Sequence, residues 1–194
     1  MTEETNSVPG KLDGREVEAG IGTAFRADQA KPADADAVMR LLVRTAEWFR
    51  SLGSTQWQAL LAGEDSHRTV EAISRGDVYV FRPQGEEAIA GMVMLLREPS
   101  AWDRELWGAE GHASAVYLHR LAIDRETAGR GLGGRIMRWV ETDVRFPGKD
   151  RIRLDCLADN PVLNAFYAGL GYMYEGRAEN ANGSYSKYEK RLRS

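Results

Sequence analysis

Apolar positions along this chain change period several times, and each change marks an element. Val38, Leu41, Leu42, Ala46 and Phe49 recur three and four apart, the spacing of a single helix face. Pro32 and Asp34 open that helix and Gly53 closes it. Shorter helical patterns follow at TQWQALLAG (55–63) and SHRTVEAISRG (66–76), the second stopped by Gly76. The period then drops to two. In DVYVFRP (77–83), Val78 and Val80 fall on one face, Tyr79 and Phe81 on the other. EEAIAGMVMLLRE (86–98) reads as the next strand, with QGEE as the hairpin turn between them. GTAFRADQ (22–29) supplies an earlier strand, with Phe25 and Arg26 on opposite faces.

Residues 99–114 carry no regular signal and read as a long loop or an irregular strand extension. AVYLHRLAID (115–124) is the best central strand, and plain alternation puts Tyr117, His119, Leu121 and Ile123 on one face. A junction with four glycines follows, ahead of a helical stripe of Ile136, Met137, Val140 and Val144. RIRLDCLA (151–158) is another strand, and NPVLNAFYAGLG (160–171) a short helix with Pro161 in its first turn. YMYEGRAE and SYSKYEKRL flank NANG, whose Asn182-Gly183 favours a primed hairpin turn. The order predicts a mixed α/β fold without internal repeats.

Composition narrows the picture. With 194 residues and 43% hydrophobic content, the chain supports one sizeable core. We expect a single domain over 21–194 behind a flexible, polar leader at 1–20. Lysine and arginine total 26 against 29 acidic residues, so net charge supplies no attraction to nucleic acid or anionic membranes. Cys156 stands alone, which excludes an intrachain disulfide framework. No run approaches the roughly 20 apolar residues of a membrane span, and a cytoplasmic protein is the expectation. His67, His112 and His119 show no metal-ligand spacing with carboxylates, so no metal is expected.

The glycine junction carries the chemistry. The first turn of a helix leaves backbone N–H groups without intrahelical partners, and the helix dipole favours anions there. Gly129, Gly131, Gly133 and Gly134 remove Cβ atoms that would hold a phosphate off the backbone, and Arg130 and Arg135 stand among them. A tightly packed strand-to-helix turn is the plainer alternative. No Lys-Ser/Thr follows the glycines, so this is not a Walker-type loop, and the spacing is not that of a dinucleotide fingerprint.

The run Ala128, Gly129, Arg130, Gly131, Leu132, Gly133 resembles the acetyl-CoA-binding motif of the GNAT superfamily of N-acetyltransferases, with Ala128 replacing the usual Gln or Arg. DCLADNPVLNAFYAGLGYMYEGR matches a second family motif through Asn160, Asn164, Phe166, Tyr167, Gly171 and Tyr172. The likeness spans about residues 22–192. It implies a mostly antiparallel central sheet with splayed central strands and flanking helices. Acetyl-CoA is the implied cofactor, its pantetheine arm lying along Leu121, Ala122 and Ile123 and its diphosphate on the glycine loop. Asn160 is implied to hold either the CoA or the end of the splayed strand. Tyr167 is the implied general acid for the leaving thiolate; the alternative is a tyrosine that caps the core.

The family's strand glutamate is absent, which leaves His119 as the candidate base, with Glu47, Glu110, Asp155 or a chain of waters as substitutes. Cys156 fits a small core residue better than an acyl carrier. Trp48, Trp57, Trp102, Trp107, Tyr117 and Asp155 are candidate acceptor-binding residues, because aromatic walls with carboxylates suit a cationic amine. The reaction expected is acetyl transfer to a primary amine of a small molecule. A protein N-terminus or lysine as acceptor, or a non-catalytic acyl-CoA-binding module, are the alternatives. Relatives in this family are often homodimers.

Overall fold

The computed structural model describes residues 24–192; the expected leader at 1–20 lies outside the described residues. Strand β1 (Phe25–Gln29) leads through a tight turn at Pro32–Asp34 into helix α1 (Ala35–Ser51). Helices α2 (Gln58–Leu61) and α3 (Thr69–Arg75) precede the hairpin of β2 (Val78–Pro83) and β3 (Gly91–Leu96). Then come α4 (Ala101–Trp107), β4 (Ala115–Ile123), α5 (Leu132–Thr142), β5 (Arg151–Leu157), α6 (Pro161–Gly169), β6 (Met173–Asn180) and β7 (Gly183–Arg191). The seven strands form one sheet in the order β1-β2-β3-β4-β5-β7-β6. Among the described residues only β4 and β5 pair in parallel; every other pair is antiparallel. The mixed, mostly antiparallel fold expected from the sequence is the fold observed.

Each face of the sheet carries its own core. On one side, α5 and α6 cover Phe81, Val93, Leu95, Val116, Leu118, Leu154 and Cys156. On the other, α1 to α3 cover Val78, Val80, Met92, Met94, Ala115 and Tyr117. Helix α1 buries Val38, Leu41, Leu42, Thr45 and Ala46, close to the stripe read from the sequence. Helix α5 carries Gly133 and Gly134 in its first turn, just after Leu132, and glycine costs roughly 1 kcal/mol in a helix. Its buried Leu132, Ile136, Met137, Trp139 and Val140 return roughly 1.5–3 kcal/mol per side chain, so packing outweighs propensity. Trp139, outside the stripe read from the sequence, is fully buried edge-on against Tyr79 and Phe81 at 5.2 and 5.1 Å.

Two irregularities in β4 shape the centre. First, its pairing with β5 covers only Ala115–Tyr117 against Arg151–Arg153, so the strands part beyond that point and leave their facing edges open. Second, His119 opposes Met94 and Ala122 opposes Met92, which sets Arg120 and Leu121 against Val93 alone. This is a β-bulge, with Arg120 at φ 53°. The bulge corrects the expected alternation: Leu121 and Ile123 pack with Val116 and Leu118, opposite to Tyr117.

Three further expectations need correction. Residues 99–114 are not wholly irregular, since α4 lies within them. Ser100 caps it, its hydroxyl accepting from the Asp103 amide at 3.2 Å while the Asp103 carboxylate accepts from the Ser100 amide at 2.8 Å. Strand β3 starts at Gly91, later than Glu86, because Gln84–Ala90 form the connection. The β6–β7 turn is not primed: Asn180 pairs with Gly183, and neither Ala181 nor Asn182 has positive φ. The Asn180 side chain accepts from the Asn182 amide at 2.8 Å and shapes that turn.

Candidate active site

Where β4 and β5 part, a cavity of about 590 Å³ opens through the sheet. Leu118, His119, Arg120 and Leu121 line it from β4, and Asp155, Cys156 and Leu157 from β5. Helix α6 contributes Leu163, Phe166 and Tyr167 from one face of the sheet. From the opposite side come Trp57, Ser66 and His67 before α3, Trp102 of α4, and Tyr185 of β7. Of the residues singled out in the sequence, the fold therefore brings Tyr167, His119, Leu121, Trp57, Trp102 and Asp155 together.

Trp48, Trp107 and Tyr117 do not line this cavity. Trp48 lies one residue from Phe49, a turn of 100° away on the helix, and stacks under Arg125 at 4.0 Å. Trp107 sits beneath Arg153 at 4.5 Å and Lys187 at 5.2 Å. Tyr117 lies where β4 and β5 still pair, fully buried, its hydroxyl bonded to His112 and to Arg153. Glu47 and Glu110, the substitute bases, are exposed and outside the cavity.

On the α6 face the walls are apolar. The Tyr167 ring is 6% exposed, and burial above all, with the nearby Cys156 and Asp155, pushes its phenol far up. It therefore stays protonated. Burial likewise raises the Cys156 thiol to about 12, which leaves almost no thiolate at neutral pH and removes it as a nucleophile. Asn160 caps α6, accepting from the Leu163 amide at 3.1 Å. Asn164 donates to the Asn160 carbonyl at 2.7 Å and to Leu157 at 3.1 Å, and accepts from the Tyr188 hydroxyl at 2.9 Å. Both asparagine side chains bond within the β5–α6 corner, and neither lines the cavity.

The other face is polar. His119 is 7% exposed, and its Nε2 lies 3.0 Å from Asp103 Oδ1. Its Nδ1 lies 3.1 Å from His67 Nε2. Burial would raise Asp103, but the charge and hydrogen bond of His119, with two hydrogen bonds from Ser100, outweigh it and hold the carboxylate below its ordinary range. Asp155 accepts from Trp102 Nε1 at 3.1 Å, and burial pushes its carboxyl up. Trp102 meets Tyr185 edge-on at 4.7 Å. Arg120 lies over Trp57 at 5.1 Å and reaches Asp65 at 3.5 Å. His67 and Asp103 were not joined to His119 by the sequence reading; the Ser100-x-x-Asp103 capping pattern is the one local signal that places Asp103.

The glycine loop suits an anionic cofactor group. Gly129 and Gly131 have φ of 80° and 72°, and a Cβ on either would meet no protein atom within 4 Å. Gly131 is the N-cap of α5, and no side chain caps that helix. The amides of its first turn are thus presented to open space. Ala128 donates only to the Arg125 carbonyl, at 3.3 Å, within the turn. Ile123 and Arg130 line a neighbouring cleft of about 800 Å³ with Arg40, Arg44, Arg125 and Arg135. Ala122 is buried, paired with Met92 on the other strand. The open edge of β4, the glycine cradle and the parted strands fit an acyl thioester of coenzyme A.

The comparisons agree with that fit. The sequence profile of the Acetyltransferase (GNAT) family matches residues 42–172. The chain is 48% identical over 172 residues to "Uncharacterized N-acetyltransferase YesJ" of Bacillus subtilis (strain 168), covering 89% of this chain and 93% of that protein. A crystal structure of a GNAT family acetyltransferase from Listeria monocytogenes 4b F2365 superposes with a TM-score of 0.67 at 32% identity, over 87% of this chain and 95% of that one. The fold is shared also by yncA, a putative acetyltransferase from Salmonella typhimurium solved with acetyl-CoA, with a TM-score of 0.61 at 14% identity over 88% and 95% of the two chains.

Proposed function

This chain belongs to the Acetyltransferase (GNAT) family and is an acetyl-CoA-dependent acetyltransferase, and from that premise we propose that it acetylates a primary amine of a small cationic molecule. One observation carries the reading: the cavity crosses the sheet with a phenol on one face and carboxylates and imidazoles on the other. Acetyl-CoA, when bound, supplies an activated acyl group and a thiolate leaving group. Gly129, Gly131, Gly133 and Gly134 would hold its diphosphate through main-chain amides, and the β4 edge at Leu121 would run beside its arm.

Tyr167 holds the proton that the departing sulfur needs. Its raised proton affinity keeps it a phenol in the resting enzyme, so the proton is in place when thiolate charge develops beside it. Asp155 anchors the acceptor. Its carboxyl sits in a site that burial makes unfavourable for an unpaired negative charge, so an ammonium entering beside Trp102 and Tyr185 relieves that cost. Acetylation removes the acceptor's charge and weakens the same contact, which favours product release. His119 is the base-side residue on the wall opposite Tyr167. Both of its nitrogens are engaged, so a proton reaches it through a neighbour.

The test is thiol release from acetyl-CoA against matched panels of small amines and of peptides with free N-termini or lysines. Turnover confined to small cationic amines supports the reading. Turnover confined to peptides replaces it with a protein acceptor.

A further inference from the structure

His119 sits inside a continuous line of hydrogen-bonding groups that starts in the cavity. The Ser66 hydroxyl lies 3.0 Å from His67 Nδ1, His67 Nε2 3.1 Å from His119 Nδ1, and His119 Nε2 3.0 Å from Asp103. An ionised Asp103 only accepts, so His119 carries its proton on Nε2 and offers a lone pair at Nδ1. His67 then donates from Nε2, and its Nδ1 accepts from Ser66. Every donor in the chain meets one acceptor, in a single direction. Ser66 and His67 line the cavity, whereas Asp103 is 1% exposed.

We propose that Ser66, His67, His119 and Asp103 form a proton relay that takes up the proton of the acceptor amine, entered at Ser66, with His67 as the outer of its two histidine stations. This deepens the acetyl-transfer reading and rests on it. The acceptor enters as an ammonium, so one N–H bond breaks before attack: its electron pair becomes the nitrogen lone pair that bonds to the acyl carbon, and the proton passes to Ser66 Oγ. The second N–H proton leaves once the C–N bond has formed and balances the one that Tyr167 gives to sulfur. The Ser66 O–H bond breaks and its proton goes to His67 Nδ1. The His67 Nε2–H bond breaks and that proton goes to His119 Nδ1. One positive charge leaves the amine and one appears on the His119 imidazolium, held by the Asp103 carboxylate; nothing is oxidised or reduced.

The surroundings give the relay its direction. His67 faces His119 and Arg120 from β4, with Glu64 and Asp65 on its own segment. Burial first, then any positive charge on the neighbouring His119 and Arg120, holds it well below an ordinary histidine, so a proton received there moves on. His119 faces Asp103 from α4 and Asp155 from β5, both of which stabilise an imidazolium. Asp65 fixes the outer station in place: it accepts from the His67 and Thr69 amides at 3.3 and 2.6 Å and pairs with Arg120 at the bulge. The bulge thus ties the His67 segment to the strand that carries His119.

The test is a histidine side-chain ¹⁵N NMR titration of the whole protein without ligand. The relay predicts that His67 and His119 both carry their neutral proton on Nε2. Nδ1–H as the major neutral tautomer of either histidine overturns the relay. In thiol release with acetyl-CoA and phenethylamine, His67→Gln should lower kcat/KM for the amine about 100-fold, with acetyl-CoA affinity within twofold. An unchanged rate overturns the proposal. Wild-type inactivity toward every small amine overturns the acceptor assignment instead, and the titration then decides the relay by itself.

Discussion

The two walls of the cavity are built in opposite ways. The α6 wall is apolar, and its one ionisable contributor beside the buried Cys156 is a phenol that burial keeps protonated. The α4 wall is polar, with Asp103, His119, His67 and Asp155 each held by named partners. An apolar wall raises the cost of a thiolate and of a phenolate alike, so the phenol keeps its proton until thiolate charge develops beside it. A networked wall disperses a positive charge and so accepts a proton from an amine. Placing these on opposite faces of one sheet keeps donor and acceptor from neutralising each other directly, with only the width of the parted strands between them.

The largest effect should come from removing the sole proton donor of the apolar wall. Tyr167→Phe keeps the ring and its packing, and we expect kcat to fall about 10²- to 10³-fold with acetyl-CoA affinity unchanged. Steady-state kinetics with calorimetric binding checks this; a matching loss of affinity would mark Tyr167 as a packing residue. Next, Asp155→Asn should raise KM for a cationic acceptor about 10- to 100-fold, the cost of one charge-assisted hydrogen bond. Because Asp155 must be ionised to pair, wild-type KM should also climb on acidification and that climb should vanish in the variant. An uncharged acceptor analogue, used as the control, should show neither effect.

The smallest effect concerns stability. His67 binds a proton less readily when folded than its ordinary value of 6.5. Below about pH 6.5 the unfolded chain takes up a proton that folded His67 refuses, so stability falls as pH falls, by at most about 1.4 kcal/mol per unit for one group. Asp103, held low in the fold, adds a loss of the same sign in the acid range below about pH 4, where only the unfolded carboxyl is protonated. Denaturant melts between pH 7 and 5 should show this slope, and His67→Gln should flatten it.

The contrast between the walls also explains what was legible in the sequence. Most of the apolar wall comes from one contiguous stretch, residues 156–167, where Cys156, Leu163, Phe166 and Tyr167 line the cavity and Asn160 and Asn164 shape the corner, and the glycine cradle is likewise local. The polar wall is assembled from residues 65–67, 102–103, 119–120 and 155, and nothing local connects His67 to His119. Their meeting depends on the bulge at Arg120, an arginine at positive φ, where local preference favours glycine or asparagine. Without the bulge, alternation placed Leu121 and Ile123 on the His119 face. Helix α4 has seven residues, too few for a periodic stripe, so residues 99–114 read as irregular although Ser100 and Asp103 carry a capping pattern. Trp48, Trp107 and Tyr117 were chosen for residue type, and each is occupied by an arginine or a histidine elsewhere.

A crystal structure with acetyl-CoA bound tests the opposed walls most directly. The account predicts the thioester between β4 and β5 with its sulfur within hydrogen-bonding distance of the Tyr167 hydroxyl, and its acyl carbon open toward Asp155 and His67. A thioester whose sulfur faces the histidines, or one bound away from the parted strands, would contradict it.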